Sequence, residues 1–158
     1  MFSIGDKVVH PMHGAGIIDS IVQKRVDGVT RDYYIMKLPN RSMVVMIPTE
    51  GCGEIGVRPV MTPEEVDRIL AAIPQIQVTM TSNWNHRYRE NMERLKSGDL
   101  IAVAGVAKGL AERETGRGLS TGERKMLHSA KQILVSEIVL SKQISQEEAE
   151  AALNASLV

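Results

Sequence analysis

His10 and His13 stand in an H-x-x-H spacing that could offer two imidazoles to a zinc ion. Zinc needs at least a third ligand in defined geometry. Cys52 is remote in sequence, and His86 and His128 fall in the other half of the chain, so no metal site is expected. Cys52, between Gly51 and Gly53, could be a reactive thiol, but no base flanks it, and an inert small residue is the simpler reading. Gly14-Ala15-Gly16 lacks the Gly-Lys-Ser/Thr ending and the following helix of a phosphate loop. The pairs Glu64/Glu65 and Glu147/Glu148 fall in first helical turns, where the helix dipole accounts for them. No nucleophile, base and orienting group come together. Catalytic residues and cofactors are therefore expected to be absent, and the chain is not expected to be an enzyme.

Trp84 is the single tryptophan, inside N-W-N-H-R-Y-R from Asn83 to Arg89. A ring flanked by His86, Arg87 and Arg89 could stack on bases or wedge between them while the cations hold phosphates. Spacing supports a second reading. Trp84, Tyr88, Met92 and Leu95 recur at helical period and could form one core stripe. Both readings stay open on spacing alone. The later cations Lys108, Arg113, Arg117, Arg124, Lys125 and Lys131 divide the same way, between phosphate contacts and solvated faces paired with Glu90, Glu93, Glu112 and Glu123.

The elements that must position these residues follow from composition and pattern. Lys and Arg equal Asp and Glu at 19 each, so no global field draws the chain to DNA or membrane. The charge is uneven, however. Residues 83–131 hold ten basic against six acidic side chains, whereas 132–158 hold one against four, which places any nucleic-acid contact in the middle of the second half. One cysteine excludes an internal disulfide. No leader pattern or bilayer-spanning apolar run is seen, so a cytoplasmic protein is expected.

The first sixty residues carry strand signals: Val8-Val9, the run Ile17 to Val22, Tyr33 to Leu38, and Met43 to Ile47 closed by Pro48. Asp27-Gly28 predicts a tight hairpin, and Pro39-Asn40-Arg41-Ser42 another turn. His13 to Gly16 reads as a flexible connection. From Thr62 the period becomes helical. Thr62-Pro63-Glu64-Glu65, Ser120-Thr121-Gly122-Glu123 and Ser145-Gln146-Glu147-Glu148 all read as capping boxes. Pro74 ends the first helix, residues 75–82 form a linker, and Ser82 or Asn83 caps the Trp84 helix, which Gly98 stops. Asp99 opens a helix to about Glu114, weakened at Gly105 and Gly109 by about 1 kcal/mol each relative to Ala. The pattern predicts an α+β protein: a small, strongly bent antiparallel β domain over 1–60, then a compact five-helix domain over 61–158.

Several of these motifs resemble the CarD/CdnL family of bacterial transcription regulators. They are F-S-I-G-D-K-V-V-H-P-M-H-G-A-G (Phe2 to Gly16), I-P-T-E (Ile47 to Glu50) with I-G-V-R (Ile55 to Arg58), N-W-N-H-R-Y-R-E-N-M-E-R-L-K-S-G-D (Asn83 to Asp99), R-G-L-S-T-G-E-R-K-M-L (Arg117 to Leu127) and A-K-Q-I-L-V-S-E (Ala130 to Glu137). They run in order over almost the whole chain. The resemblance implies a Tudor-like first domain that docks on the β subunit of RNA polymerase. The strand around Met43, Val45, Met46, Ile47 and Pro48 is the expected contact, with Lys24 as a further basic position. It also implies a helical domain whose Trp84 enters the minor groove at the upstream edge of the transcription bubble and hinders its collapse. His86, Arg87, Arg89, Arg124 and Lys125 would neutralise nearby phosphates. Met46 stands where actinobacterial relatives tend to place a basic polymerase-contacting residue, and His86 where a more basic residue is common, so a polymerase contact different in detail is expected. Tethering to polymerase would let a chain of zero net charge act on DNA with little sequence preference. The implied protein is a nucleoid-associated monomer without a cofactor. A polymerase- or ribosome-associated module that binds protein or RNA, with no promoter role, is the alternative.

Overall fold

The structure, a computed structural model, describes residues 1–39 and 42–158. Asn40 and Arg41 of the expected turn lie outside the described residues.

The β half is a five-stranded antiparallel sheet of β1 (Lys7–His10), β2 (Gly14–Val26), β3 (Val29–Lys37), β4 (Val44–Pro48) and β5 (Arg58–Pro59), in the order β4-β3-β2-β1-β5. Asp27 and Gly28 join β2 to β3 with φ of 51° and 79°. Both central residues are thus left-handed, as a two-residue hairpin matched to the sheet twist requires. Gly14 to Gly16, expected as a connection, belong to β2 and pair with Val8 to His10. Glycine is required there: a Cβ on Gly16 would lie 2.5 Å from the Lys37 carbonyl oxygen. A bulge between Ile18 and Ser20 bends β2 further. The inner face buries Val8, Ile18, Tyr34, Met36 and Ile47, with Cys52 and Val57 closing the cluster. Cys52 opens α1 (Cys52–Ile55), a single turn between left-handed Gly51 and Gly56 that periodicity did not reveal.

The second half contains α2 (Pro63–Ala72), α3 (Trp84–Lys96), α4 (Leu100–Gly116), α5 (Thr121–Lys142) and α6 (Gln146–Leu157). Thr62 and Ser145 form full reciprocal capping boxes. Asn83, not Ser82, caps α3 by accepting from the His86 N–H at 3.1 Å. Ser120 forms only half of its expected box. Its hydroxyl accepts from the Glu123 N–H at 3.2 Å, but the Glu123 carboxylate turns inward to Arg87. The core lies between α4 and α5, where Ala104, Ala107 and Ala130 are fully buried and let the helix axes approach closely.

The segment from Ile76 to Ser82, which delivers the chain to Trp84, crosses the face of α4. Gly109 makes the crossing feasible, because a Cβ there would meet Met80 Cε at 2.2 Å and Val78 Cγ1 at 2.6 Å. Lys108, a candidate for a solvated or phosphate-facing cation, is instead buried. Its Nζ donates to the carbonyls of Ile73, Pro74 and Ile76 at 2.8–3.0 Å, satisfying orphan acceptors where α2 ends.

The two halves meet along α5. Arg58 of β5 forms a forked pair with Glu137 at 2.8 Å on both oxygens, and the Met61 N–H donates to the same carboxylate at 2.9 Å. The Ala15 N–H donates to Ser136 Oγ at 2.8 Å, and Lys7 Nζ to the Leu140 carbonyl at 3.1 Å. Gly14 lies so near α5 that a Cβ would sit 2.5 Å from Ser136 Oγ.

Candidate nucleic-acid interface

Trp84 is the first residue of α3 and remains 43% exposed. Two contacts hold its ring. Tyr88, one turn on, stacks on it with centroids 5.1 Å apart and planes 20° from parallel. The indole Nε1–H donates to Ser120 Oγ at 3.1 Å, at the start of α5. A Cβ on Gly122 would lie 3.8 Å from Trp84 Cζ2 and 3.5 Å from Tyr88 Cε2, ordinary van der Waals distances that place both rings over the second residue of α5. The edge carrying Nε1 and Cζ2 therefore faces α5.

The buried stripe of α3 is Arg87, Asn91 and Leu95, with Tyr88 and Met92 only partly covered. Periodicity of apolar residues missed its phase because two of its members are polar. Arg87 is 2% exposed. Its Nε donates to Glu123 Oε2 at 2.7 Å and its second terminal nitrogen to Oε1 at 3.2 Å; the other donates to the Thr81 and Ser82 carbonyls, also at 3.2 Å. The expectation that Arg87 neutralises phosphate is therefore corrected: its donors point inward, and a buried guanidinium of this kind is a structural cation. Hydrogen bonding from Arg87 holds the Glu123 carboxyl below its ordinary pKa against the opposing effect of burial, aided by the charges of Arg87 and Arg113.

The remaining expected phosphate contacts are accessible. His86 and Arg89 are exposed on the first two turns of α3. Arg124 and Lys125 are exposed on the first turn of α5, with Arg124 donating to the Leu119 carbonyl at 3.1 Å. Both helices begin beside the indole, so the ring and these cations share one end of the helical half. Arg113, near the end of α4, adds a buried Nε with no hydrogen-bond partner among the described residues. Ser120, Gly122 and Glu123, which support the ring, read in sequence only as a capping motif.

On the sheet, β4 is an edge strand. Met43, Val44 and Met46 are exposed, and Val45 and Pro48 are half-buried. Ile47 is fully buried against Tyr34 and Met36, which corrects its expected role as a polymerase contact: strand alternation turns its side chain into the core. Met46 shares the opposite face with Ile35 and Ser20, and Val44 with Lys37 and Ile17. Lys24 is exposed near the β2–β3 hairpin, opposite Arg31 and away from Met46. His10 and His13 have ring centroids 4.8 Å apart, but no group of three or more potential metal ligands occurs among the described residues. No helix of the described residues is long and apolar enough to cross a membrane.

An edge-exposed sheet is thus joined to a helical unit that displays one tryptophan among cations. Residues 2–61 match the CarD-like/TRCF RID domain and residues 68–154 the CarD C-terminal domain. The chain is 32% identical over 148 residues to "Putative transcription factor YdeB" of Bacillus subtilis (strain 168), covering 94% of this chain and 97% of that protein. It belongs to the CarD/CdnL family of transcription regulators.

Proposed function

We propose that this protein binds the β subunit of RNA polymerase through its sheet and stabilises the open promoter complex by inserting Trp84 into the minor groove at the upstream edge of the bubble. The half-exposed indole, braced on Tyr88 and Ser120 at the start of two helices that carry His86, Arg89, Arg124 and Lys125, is the observation that supports this most. An aromatic wedge costs a few kcal/mol of unstacking, and least where the duplex is already distorted, as at a fork. A protein that binds the open state better than the closed state shifts the equilibrium by that difference. The surrounding cations supply salt-sensitive, sequence-independent attraction, and docking on polymerase raises the local concentration of the ring. The exposed edge β4 supports docking by strand addition, with Met43, Val44 and Met46 at the contact.

Open-complex lifetime, measured with the natural protein and with Trp84→Ala at saturating concentration, tests the proposal. The variant is expected to bind polymerase normally and to lose the lifetime extension. A folded, polymerase-bound variant that extends the lifetime as well as the natural protein would sink it.

A further inference from the structure

Arg87 belongs to the most basic motif of the chain, yet no phosphate can reach it. Four hydrogen bonds join it to Glu123 on α5 and to the carbonyls of Thr81 and Ser82 just ahead of α3. Glu123 Oε1 also accepts from Ser120 Oγ at 3.4 Å, and Ser120 Oγ accepts from the indole N–H. One connected set thus runs from the segment crossing α4, through Arg87, Glu123 and Ser120, to Trp84 Nε1. We propose that Arg87 is a positioning residue for Trp84: paired with Glu123, it clamps the starts of α3 and α5 together so that the indole is displayed in one orientation. This rests on the reading of Trp84 as a wedge. A ring ordered before it meets DNA loses less conformational freedom on insertion, which favours the inserted state.

The full chain provides its own probe, because Trp84 is the sole tryptophan and fluorescence excited at the red edge, beyond tyrosine absorption, reports on it alone. Arg87→Lys keeps the charge but not the fork, Glu123→Gln keeps shape and capping but not the charge, and Ser120→Thr keeps the hydroxyl. In the free protein, Arg87→Lys and Glu123→Gln are expected to lower Trp84 anisotropy and raise acrylamide quenching roughly twofold, with unchanged helicity. Ser120→Thr is expected to behave as the natural protein. Open-complex lifetime should fall in step with the loosening of the ring. A phosphate-binding Arg87 predicts the reverse: Arg87→Lys active, Glu123→Gln at least as tight on DNA, and a salt slope that drops by about one with Arg87→Met. That pattern overturns the proposal, as does a shortened lifetime with an unmoved indole signal. A loosened indole with full lifetime leaves Arg87 as the positioning residue and sinks the wedge instead. If Arg87→Lys does not fold, Glu123→Gln decides on the same readouts.

Discussion

The indole N–H of Trp84 donates to the hydroxyl of Ser120 at 3.1 Å, across 36 residues of sequence. One serine therefore caps α5 and seats the aromatic ring that begins α3. The exposure of Trp84 is thus compatible with a fixed position, which gives the first prediction.

Trp84→Ala should lower stability by less than the ~3–5 kcal/mol that truncating a fully buried aromatic removes. Part of the ring faces solvent, and its one hydrogen bond contributes about 1 kcal/mol net. Urea unfolding of the two proteins measures the difference. A loss in the full range would place the ring in the core.

Gly105 and Gly109 look equivalent in sequence but should respond oppositely to alanine. Nothing lies within 4 Å of a Cβ built on Gly105, so Gly105→Ala should gain up to about 1 kcal/mol from helix propensity. Gly109→Ala drives a methyl group into Met80 and Val78 and should lose about 1–3 kcal/mol through overpacking. Thermal melting compares the pair, and the fluorescence of Trp84 should change with Gly109→Ala alone.

Glu123 has a pKa lowered mainly by its hydrogen bond from Arg87. A carboxylate with a depressed folded pKa binds protons more weakly in the native than in the unfolded state. Its stabilising contribution is therefore fully present above the ordinary carboxylate value and disappears as pH falls through the folded value. Natural protein and Glu123→Gln should differ in unfolding free energy at neutral pH and converge in acid. A difference that holds constant through the acid range would remove Glu123 as its source.

Arg58→Met should cost about 3–5 kcal/mol, since it strands the Glu137 carboxylate, which is 0% exposed, without its cation. The loss should be smaller in Arg58→Met/Glu137→Met, where both charges are gone. A double-mutant cycle in urea measures the coupling.

On the sheet edge, Met46→Asp should abolish polymerase binding with little change in melting, because Met46 is exposed. Ile47→Ala should instead cost ~2–5 kcal/mol of stability as a buried aliphatic truncation. Pull-down of core polymerase and thermal melting, done side by side, separate the neighbours.

The residues that declared themselves in sequence act through local chemistry. Asp27-Gly28, Thr62 with Glu65 and Ser145 with Glu148 each satisfy backbone demands within a few residues, and each appears where the local pattern places it. Arg87 and Lys108 were obscured because charge patterning assumes solvent, whereas both are covered by segments distant in sequence. The buried stripe of Arg87, Asn91 and Leu95 carries no apolar period, because two of its three members are polar. Ile47 was legible in principle, because alternation along β4 separates it from exposed Met46. Glu123 satisfied a capping pattern so well that its long-range partner left no trace in the local sequence.

Helix α5 reaches from Ser120, under the indole, to Ser136 and Glu137, which grip β2 and β5. At 1.5 Å per residue that span is about 24 Å of unbroken helix. It works as a ruler. Whatever seats the sheet also sets, through one stiff rod, how far away the ring is presented, and an inserted or deleted residue in α5 would shift that reach by about 1.5 Å and swing the ring by about 100° around the rod. Under the proposed wedge function, the point of DNA contact would then be measured from the docked partner rather than read from the bases.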